Sequence, residues 1–363
     1  MSRGTLVLTE KMAEAAVLGG AVLGGGGGGS MKDGLETARL AVRLGEVILR
    51  DIDAMDDSDI LLTVSAVGAP AAKERYVRPA DFIRAVELFR QRFGLVPDGL
   101  ITNECGGNAT INGWIQSAAL GLPLIDAPCN GRAHPTGIMG SMGLHARDGY
   151  VSQQTAAGGN PATGKYLELA VNASLEMAAQ MIRAASVQAG GIVAVARNPV
   201  EVAYARHNAA PGAVRQSIEL GAAMIAAREQ GVSVTEAAAN YLQGQIAVTG
   251  QVTSVELETR GGFDVGVVIV EGKHGRADMT FWNEYMTLEI DGQRLATFPD
   301  LIATLDGADG MPLSTADMTP GREIAVLVAA KEKIILGAGM RDQALFISAE
   351  QAVARSLIPY VFK

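Results

Sequence analysis

Cysteine is nearly absent from this chain. Its 363 residues include two, Cys105 and Cys129. Two thiols cannot make a disulfide scaffold, so the fold has to rest on a buried core. Histidine is almost as scarce, with four residues, and no HxH or HExxH pattern occurs to suggest an amidohydrolase-like or protease-like metal site. No uninterrupted apolar run approaches the roughly 18 residues of a membrane span. The stretch "EKMAEAAVLGGAVLGGGGGG" is interrupted by Glu10, Lys11 and Glu14 and dissolves into glycine, which makes a poor secretory signal. Positive charge is in deficit, with 30 Lys and Arg against 39 Asp and Glu and a net charge of −9. That balance offers no global attraction to nucleic acid or to an anionic membrane surface. A cytoplasmic protein with a small-molecule substrate, no nucleic-acid or membrane partner, and homo-oligomeric assembly is the expectation.

Charged residues make up 19% and hydrophobic residues 48%, which excludes disorder and provides for a large core. The length implies two domains or three. Thr9 reads as the N-cap of a first helix, "TEKMAEAAVLGGAVL", and "KDGLETARLAVRLG" as a second. "EVILRDI", "DILLTVSAVG", "DGLITNE" and "LPLIDA" read as strands, alternating with the helical patterns "PADFIRAVELFRQRFG" and "NATINGWIQSAALG". Strands and helices in that alternation predict a layered α/β domain over residues 1–165, with a mostly parallel sheet. Residues 166–243, rich in Ala and Met, read as a helical segment packed on it. Residues 244–363 read as a mostly antiparallel β domain, a barrel or a sandwich, in which "IDGQRL" supplies an Asp-Gly hairpin turn.

Three stretches could carry chemistry. The run Gly24–Gly29 lacks the Lys-Ser/Thr of a phosphate loop and follows no strand, so it is not a nucleotide fingerprint. It is either a tight packing point or a ligand loop whose amides, notably at Gly26 and Gly27, face an anion or carbonyl. "GLITNECGGNATINGW" and "PLIDAPCNGRAHPTG" are consecutive loops past strand ends, where ligands bind in open α/β sheets. They predict one rim carrying Glu104, Cys105, Asn108, Asp126, Cys129, Arg132 and His134. Cys105 precedes a predicted helix, whose first amides favour a thiolate. A Cys nucleophile with His and carboxylate helpers is one chemistry that fits. Zinc held by Cys105, Cys129 and His134, with an open fourth position, is the other. Otherwise no cofactor is implied. "MTFWNEYMTL" places Asn283 and Glu284 inside an apolar β run, where polar groups need partners and could reach a ligand across a domain interface. His145, His207 and His274 sit in polar loops or near a helix end and read as surface or capping residues.

Taken in order, "AVLGGGGGG", the Glu-x-Gly-Gly-Asn loop at 104–108, "GLPLIDA" with "GRAHP", and "NEYMTLEIDGQRLATFPDLIATLD" resemble the S-methyl thiohydantoin desulfurase family over nearly the whole chain. The resemblance implies an N-terminal α/β domain and a C-terminal β domain. Many relatives carry an aliphatic residue at the position of Cys105, and Asp-Gly-Met-Gly-Arg-Ala-Phe-Pro-Glu where residues 128–136 stand, so Cys105, Cys129 and His134 depart from the pattern together. Glu104, Asp126 and Arg132 match it. The implied reaction removes the methylthio group from a 2-methylthio-imidazolone, in the breakdown of S-methylated ergothioneine, giving a hydantoin and methanethiol. On that reading Cys105 or Cys129 attacks C2, Glu104 or Asp126 holds ring N–H groups, His134 moves protons and Arg132 binds a propionate. A zinc-dependent hydantoin-type hydrolase and a non-catalytic small-molecule binder are the alternatives.

Overall fold

The computed structural model describes residues 4–69, 71–273 and 275–362, so His274 lies outside the described residues. Among the described residues, strands form two eight-stranded sheets. The first contains β1 (Leu6–Val7), β2 (Ile48–Arg50), β3 (Ile60–Gly68), β4 (Gly99–Thr102), β5 (Leu124–Ile125), β6 (Ser152–Gly158), β7 (Leu167–Ala173) and β8 (Ile192–Glu201). Their order is β1-β2-β5-β4-β3-β8-β6-β7. The inner run β2-β5-β4-β3 is parallel, and antiparallel strands flank it on both sides. Helices α1 (Glu10–Leu23) and α2 (Met31–Leu44) precede β2, α3 (Pro79–Phe93) joins β3 to β4, and α4 (Trp114–Leu120) joins β4 to β5. Local chemistry sets the ends. Thr9 accepts from the Met12 amide at the start of α1, Ser30 accepts from Asp33 at the start of α2, and left-handed Gly94 closes α3.

Residues 166–243 are not wholly helical as expected. They contain β7 and β8 as well as α5 (Leu175–Gln188), α6 (Val202–Asn208), α7 (Ala213–Glu229) and α8 (Val234–Tyr241). Leu167, Leu169 and Val171 alternate with Glu168, Ala170 and Asn172 and pack on one face of the first sheet, a period-2 signal that the Ala-rich composition obscured. "NATINGWIQSAALG" is also broken. A single 3-10 turn, Ala109–Ile111, ends before Gly113, whose φ of +100° turns the chain into α4.

The C-terminal sheet comprises β9 (Gln245–Arg260), β10 (Phe263–Gly272), β11 (Gly275–Trp282), β12 (Glu284–Ile290), β13 (Gln293–Thr297), β14 (Leu301–Asp306), β15 (Pro312–Leu313) and β16 (Glu323–Ala329). It is antiparallel throughout, in the order β13-β12-β11-β10-β9-β16-β14-β15. Among the described residues its end strands do not pair, so it is an open sheet and not a closed barrel. It curls enough to bring the Tyr285 hydroxyl of β12 within 3.4 Å of Thr304 Oγ1 on β14. "MTFWNEYMTL" is two strands, not one. The chain reverses at Asn283, with Trp282 paired to Glu284, and Asn tolerates the required φ of +57°. Alternation along a single strand therefore does not apply to that segment. Asp291-Gly292 makes the expected tight hairpin between β12 and β13. The tail adds α9 (Phe346–Val353) and α10 (Ile358–Val361), with Phe346 packed on Phe298 and Phe362.

The two sheets meet in one core cluster, while the second sheet also buries a cluster of its own. Ala16 and Leu23 of α1 and Leu220 and Met224 of α7 pack in the same cluster as Leu301, Leu305 and Leu327 of the second sheet. The helices cross closely, since a Cβ on Gly19 would lie 1.9 Å from Ser217 O and one on Gly221 1.9 Å from Ala15 O. Beyond α1 the glycine run is hydrogen-bonded to both domains. The amides of Asn108 and Ala109 donate to Gly28 O, that of Tyr285 to Gly25 O and that of Thr315 to Gly26 O, all at 2.8–3.0 Å.

Gly28 has φ +75°, and a Cβ there would lie 2.5 Å from Gly106 Cα. Gly28→Ala combines a left-handed alanine with overpacking against backbone and should cost about 3 kcal/mol or more. Gly94→Ala, also left-handed (φ +65°) but with nothing within 4 Å, should cost about 1 kcal/mol. Urea midpoints with unchanged slopes measure both. Equal losses would show that the glycine run is not tightly packed.

Candidate functional site

A cavity of about 840 Å³ opens between the C-terminal ends of β3 and β4, α5 and the turn at Asn283. Each wall comes from a different part of the chain. Gly28, Gly29 and Asn108 form one side, and Asn103, Glu104 and His134 the sheet rim. Arg183 and Arg197 come from α5 and β8, and Asn283 and Glu284 come from the second domain. Asn283 is held for this by accepting the Asp264 amide through its side chain (2.9 Å) and the Thr315 hydroxyl through its carbonyl (3.0 Å).

Glu104 lies two residues past the end of β4. Its Oε2 accepts the His134 amide at 3.2 Å and lies 3.3 Å from His134 Nε2. The Asn103 side-chain amide sits 3.1 Å from the same ring nitrogen. Gly140 packs over the imidazole so closely that a Cβ would come within 2.3 Å of it. Burial, reinforced by the positive charge of Arg197, lowers His134 to about 3, so its ring is neutral and its contact with Glu104 is not an ion pair. Burial pushes Glu104 up to about 7, against the pull of the His134 amide and of Arg197, Arg183 and Arg132. Burial, and then the charge of Glu104, pushes Glu284 well above the usual carboxylate range. One carboxyl group is thus poised near neutrality while the other stays protonated.

Several residues singled out from sequence lie elsewhere. Cys105 packs with Leu62, Val64 and Leu100, and Cys129 with Leu61, Ile101 and Ile125. Successive strand residues point to opposite faces, so the two thiols lie on opposite sides of the first sheet. Neither lines the cavity. The Cys105 thiol meets Ala213 O at 3.5 Å and the Cys129 thiol meets Thr63 Oγ1 at 3.4 Å. Burial raises them to about 12 and about 11, opposite to the expected activation. The helix expected to follow Cys105 is a 3-10 turn, and the thiol instead lies against Ala213, the first residue of α7, whose carbonyl rather than amide it meets. The zinc set Cys105, Cys129 and His134 does not converge. Among the described residues, no group of three or more His, Cys, Asp or Glu is arranged to hold a metal ion.

Asp126 accepts the Val214 amide at 2.8 Å and pairs with Arg215 at 3.2 Å, fixing the start of α7. Burial holds it at about 6. Arg132 is fully buried beneath the glycine run. It donates to Pro299 O and Asp300 O, stacks on Phe298 at 4.5 Å and joins the two domains without lining the cavity. The glycines on the wall are Gly28 and Gly29, whereas Gly26 packs on Tyr285 and Gly27 on Glu284. Sequence reading passed over Arg183 and Arg197. An arginine inside the apolar strand "IVAVARNPVE" was the available signal, because a buried charge demands a partner. Of the remaining histidines, His145 pairs with Asp342 at 2.7 Å and His207 lies in the last turn of α6.

A family model for S-Me-THD-like N-terminal domains matches residues 11–163, and one for S-Me-THD-like C-terminal domains matches residues 173–339. Among solved structures, a crystal structure of a Chromobacterium violaceum protein superposes with a TM-score of 0.72. It has 22% identity over 95% of this chain and 97% of that one, which shows a common fold. No curated protein matches.

Glu104 has a stability signature. With its carboxyl raised from 4.5 to about 7, its favourable contribution is full below pH 4.5 and lost as pH rises through 7. Above that the buried charge costs up to about 3 kcal/mol. Glu104→Gln keeps an acceptor for the His134 amide and removes the charge. It should raise the unfolding temperature at pH 8 and leave it nearly unchanged at pH 4.5. A lower unfolding temperature at pH 8 would show that the ionised carboxylate is stabilised in place.

Proposed function

The chain belongs to the S-Me-THD-like family through both of its domains, and from this premise we propose that it hydrolyses the carbon–sulfur bond of an S-methyl thiohydantoin, with water as the nucleophile. The observation that supports this most is the pair Glu104 and Glu284 on one cavity, both raised by burial and Glu284 raised further by the charge of Glu104. Neutral His134 and Asn103 orient the Glu104 side of that pair.

The ring carbon C2 lies between two nitrogens and the thioether. Protonated Glu284 delivers its proton to the imine-type ring nitrogen, which makes C2 amidinium-like. Glu104, as carboxylate, takes a proton from water as the water oxygen bonds to C2. The tetrahedral adduct then collapses. Its hydroxyl returns a proton to Glu284, the C=O of the hydantoin forms, the C–S bond breaks, and the departing methanethiolate takes the proton held by Glu104. Water and substrate become hydantoin and methanethiol, and both carboxyl groups end in their starting states. A thiol route would need a thiolate, and both thiols are buried, raised and outside the cavity lining.

Purified protein should release methanethiol from 2-methylthio-imidazolone propionate. Its kcat/KM should rise with pH through about 7 as Glu104 ionises and fall at higher pH as Glu284 loses its proton. Glu104→Gln and Glu284→Gln should each lower turnover by about 10²-fold or more. Cys105→Ser and Cys129→Ser should stay within about threefold of the parent. Loss of turnover in either serine variant, or a ring adduct on cysteine after acid quenching, would replace water attack by thiol attack.

A further inference from the structure

Arg197 takes no part in the hydrolysis described above, yet its setting demands an explanation. It projects from β8, is 3% exposed, and lines the cavity. Its Nε is enclosed without a partner. Among the described residues the guanidinium has neither a hydrogen-bond nor an ion-pair partner. Glu104 acts on it through space, and Cys129 behind it holds its proton. The other arginines are committed. Arg183 donates to Gly68 O, Gly262 O and Pro135 O and stacks on Phe263 at 4.1 Å, while Arg132 ties down residues 299 and 300.

A buried guanidinium without a counter-ion is among the least favourable groups a core can hold. The wall beside it is also kept open. A Cβ on Gly137 would lie 2.9 Å from Arg197 Nη1, with Ala179, another small residue, next to it. We infer that Arg197 anchors a carboxylate of the ligand in a planar, two-point ion pair. The anchor deepens the hydrolase reading and rests on it for the identity of the ring. The pairing supplies the missing counter-charge and fixes the ring at one distance from Glu104 and Glu284.

Titration calorimetry with hydantoin-5-propionate, its primary amide and glutarate tests the anchor. The parent protein should bind the acid roughly 10- to 100-fold more tightly than the amide, as expected for a charged hydrogen-bonded pair. Arg197→Met should erase that preference and leave amide binding unchanged, and Arg197→Lys should restore part of it. Without ligand, Arg197→Met should unfold at or above the parent's temperature, because an unpaired buried charge has been removed. Equal binding of acid and amide by the parent overturns the anchor and leaves the hydrolase reading standing. So does a preference that survives in Arg197→Met, or a variant that melts lower and loses acid and amide alike. If neither ring compound binds, the hydrolase reading fails. Glutarate binding that Arg197→Met abolishes would then still support the anchor, and no binding of any of the three overturns it.

Discussion

The molecule depends on a place where no side chain fits. Six consecutive glycines carry the chain from α1 to α2 through a gap bounded by Arg132, Glu284, Tyr285, Gly106 and Asn108. A Cβ on Gly27 would lie 2.0 Å from a Glu284 oxygen, and one on Gly28 would meet the backbone of the Glu104 loop. Because the segment is bare it can also hydrogen-bond on both sides, to Asn108 and Ala109 of the first domain and to Tyr285 and Thr315 of the second. The domains are therefore held at a separation set by main-chain thickness. That separation lets Glu284 face the same cavity as Glu104, and the large core around α1 and α7 follows from it.

The site gathers charge at the expense of stability. Two carboxyl groups and two arginines line one cavity, with a third arginine just behind it, and burial displaces the ionisation of every one of them. Such an arrangement persists only where surrounding contacts over-determine it. Here these are the carbonyl clamps on Arg132 and Arg183 and the left-handed turn at Asn283. Two carboxyl groups that feel one another titrate as a pair, so the acid and base roles proposed for them are properties of the cavity as a whole.

The alternation of strands and helices through residue 125 was legible in sequence because hydrophobic period and capping agree there, as at Thr9, read as an N-cap and found as one. The antiparallel C-terminal sheet was legible from its turns. Asn283 was misread because a one-residue reversal leaves no glycine or proline as a marker, and the apolar pattern continues through it. Strand β7 was hidden by small residues, whose polarity contrast is weak. At the site, loop order along the chain put Glu104 and His134 on one rim, and both line the cavity, because both loops leave the same edge of the sheet. It misled about the thiols, since which face a loop residue takes depends on turns that chain order does not encode. Arg197 shows the opposite case, in which a single residue type in the wrong surroundings was the most informative letter in its segment.

The opposed placement of the two cysteines turns them into separate reporters of breathing motions. Each thiol is sealed in its own apolar layer, so a small alkylating reagent reaches it only when that layer transiently opens. The speed of labelling at Cys105 then measures how often the helical layer between the sheets parts. The speed at Cys129 measures the same for the layer on the far side of the first sheet. A single unmodified chain thus carries two independent clocks, with a β-sheet as the partition between them.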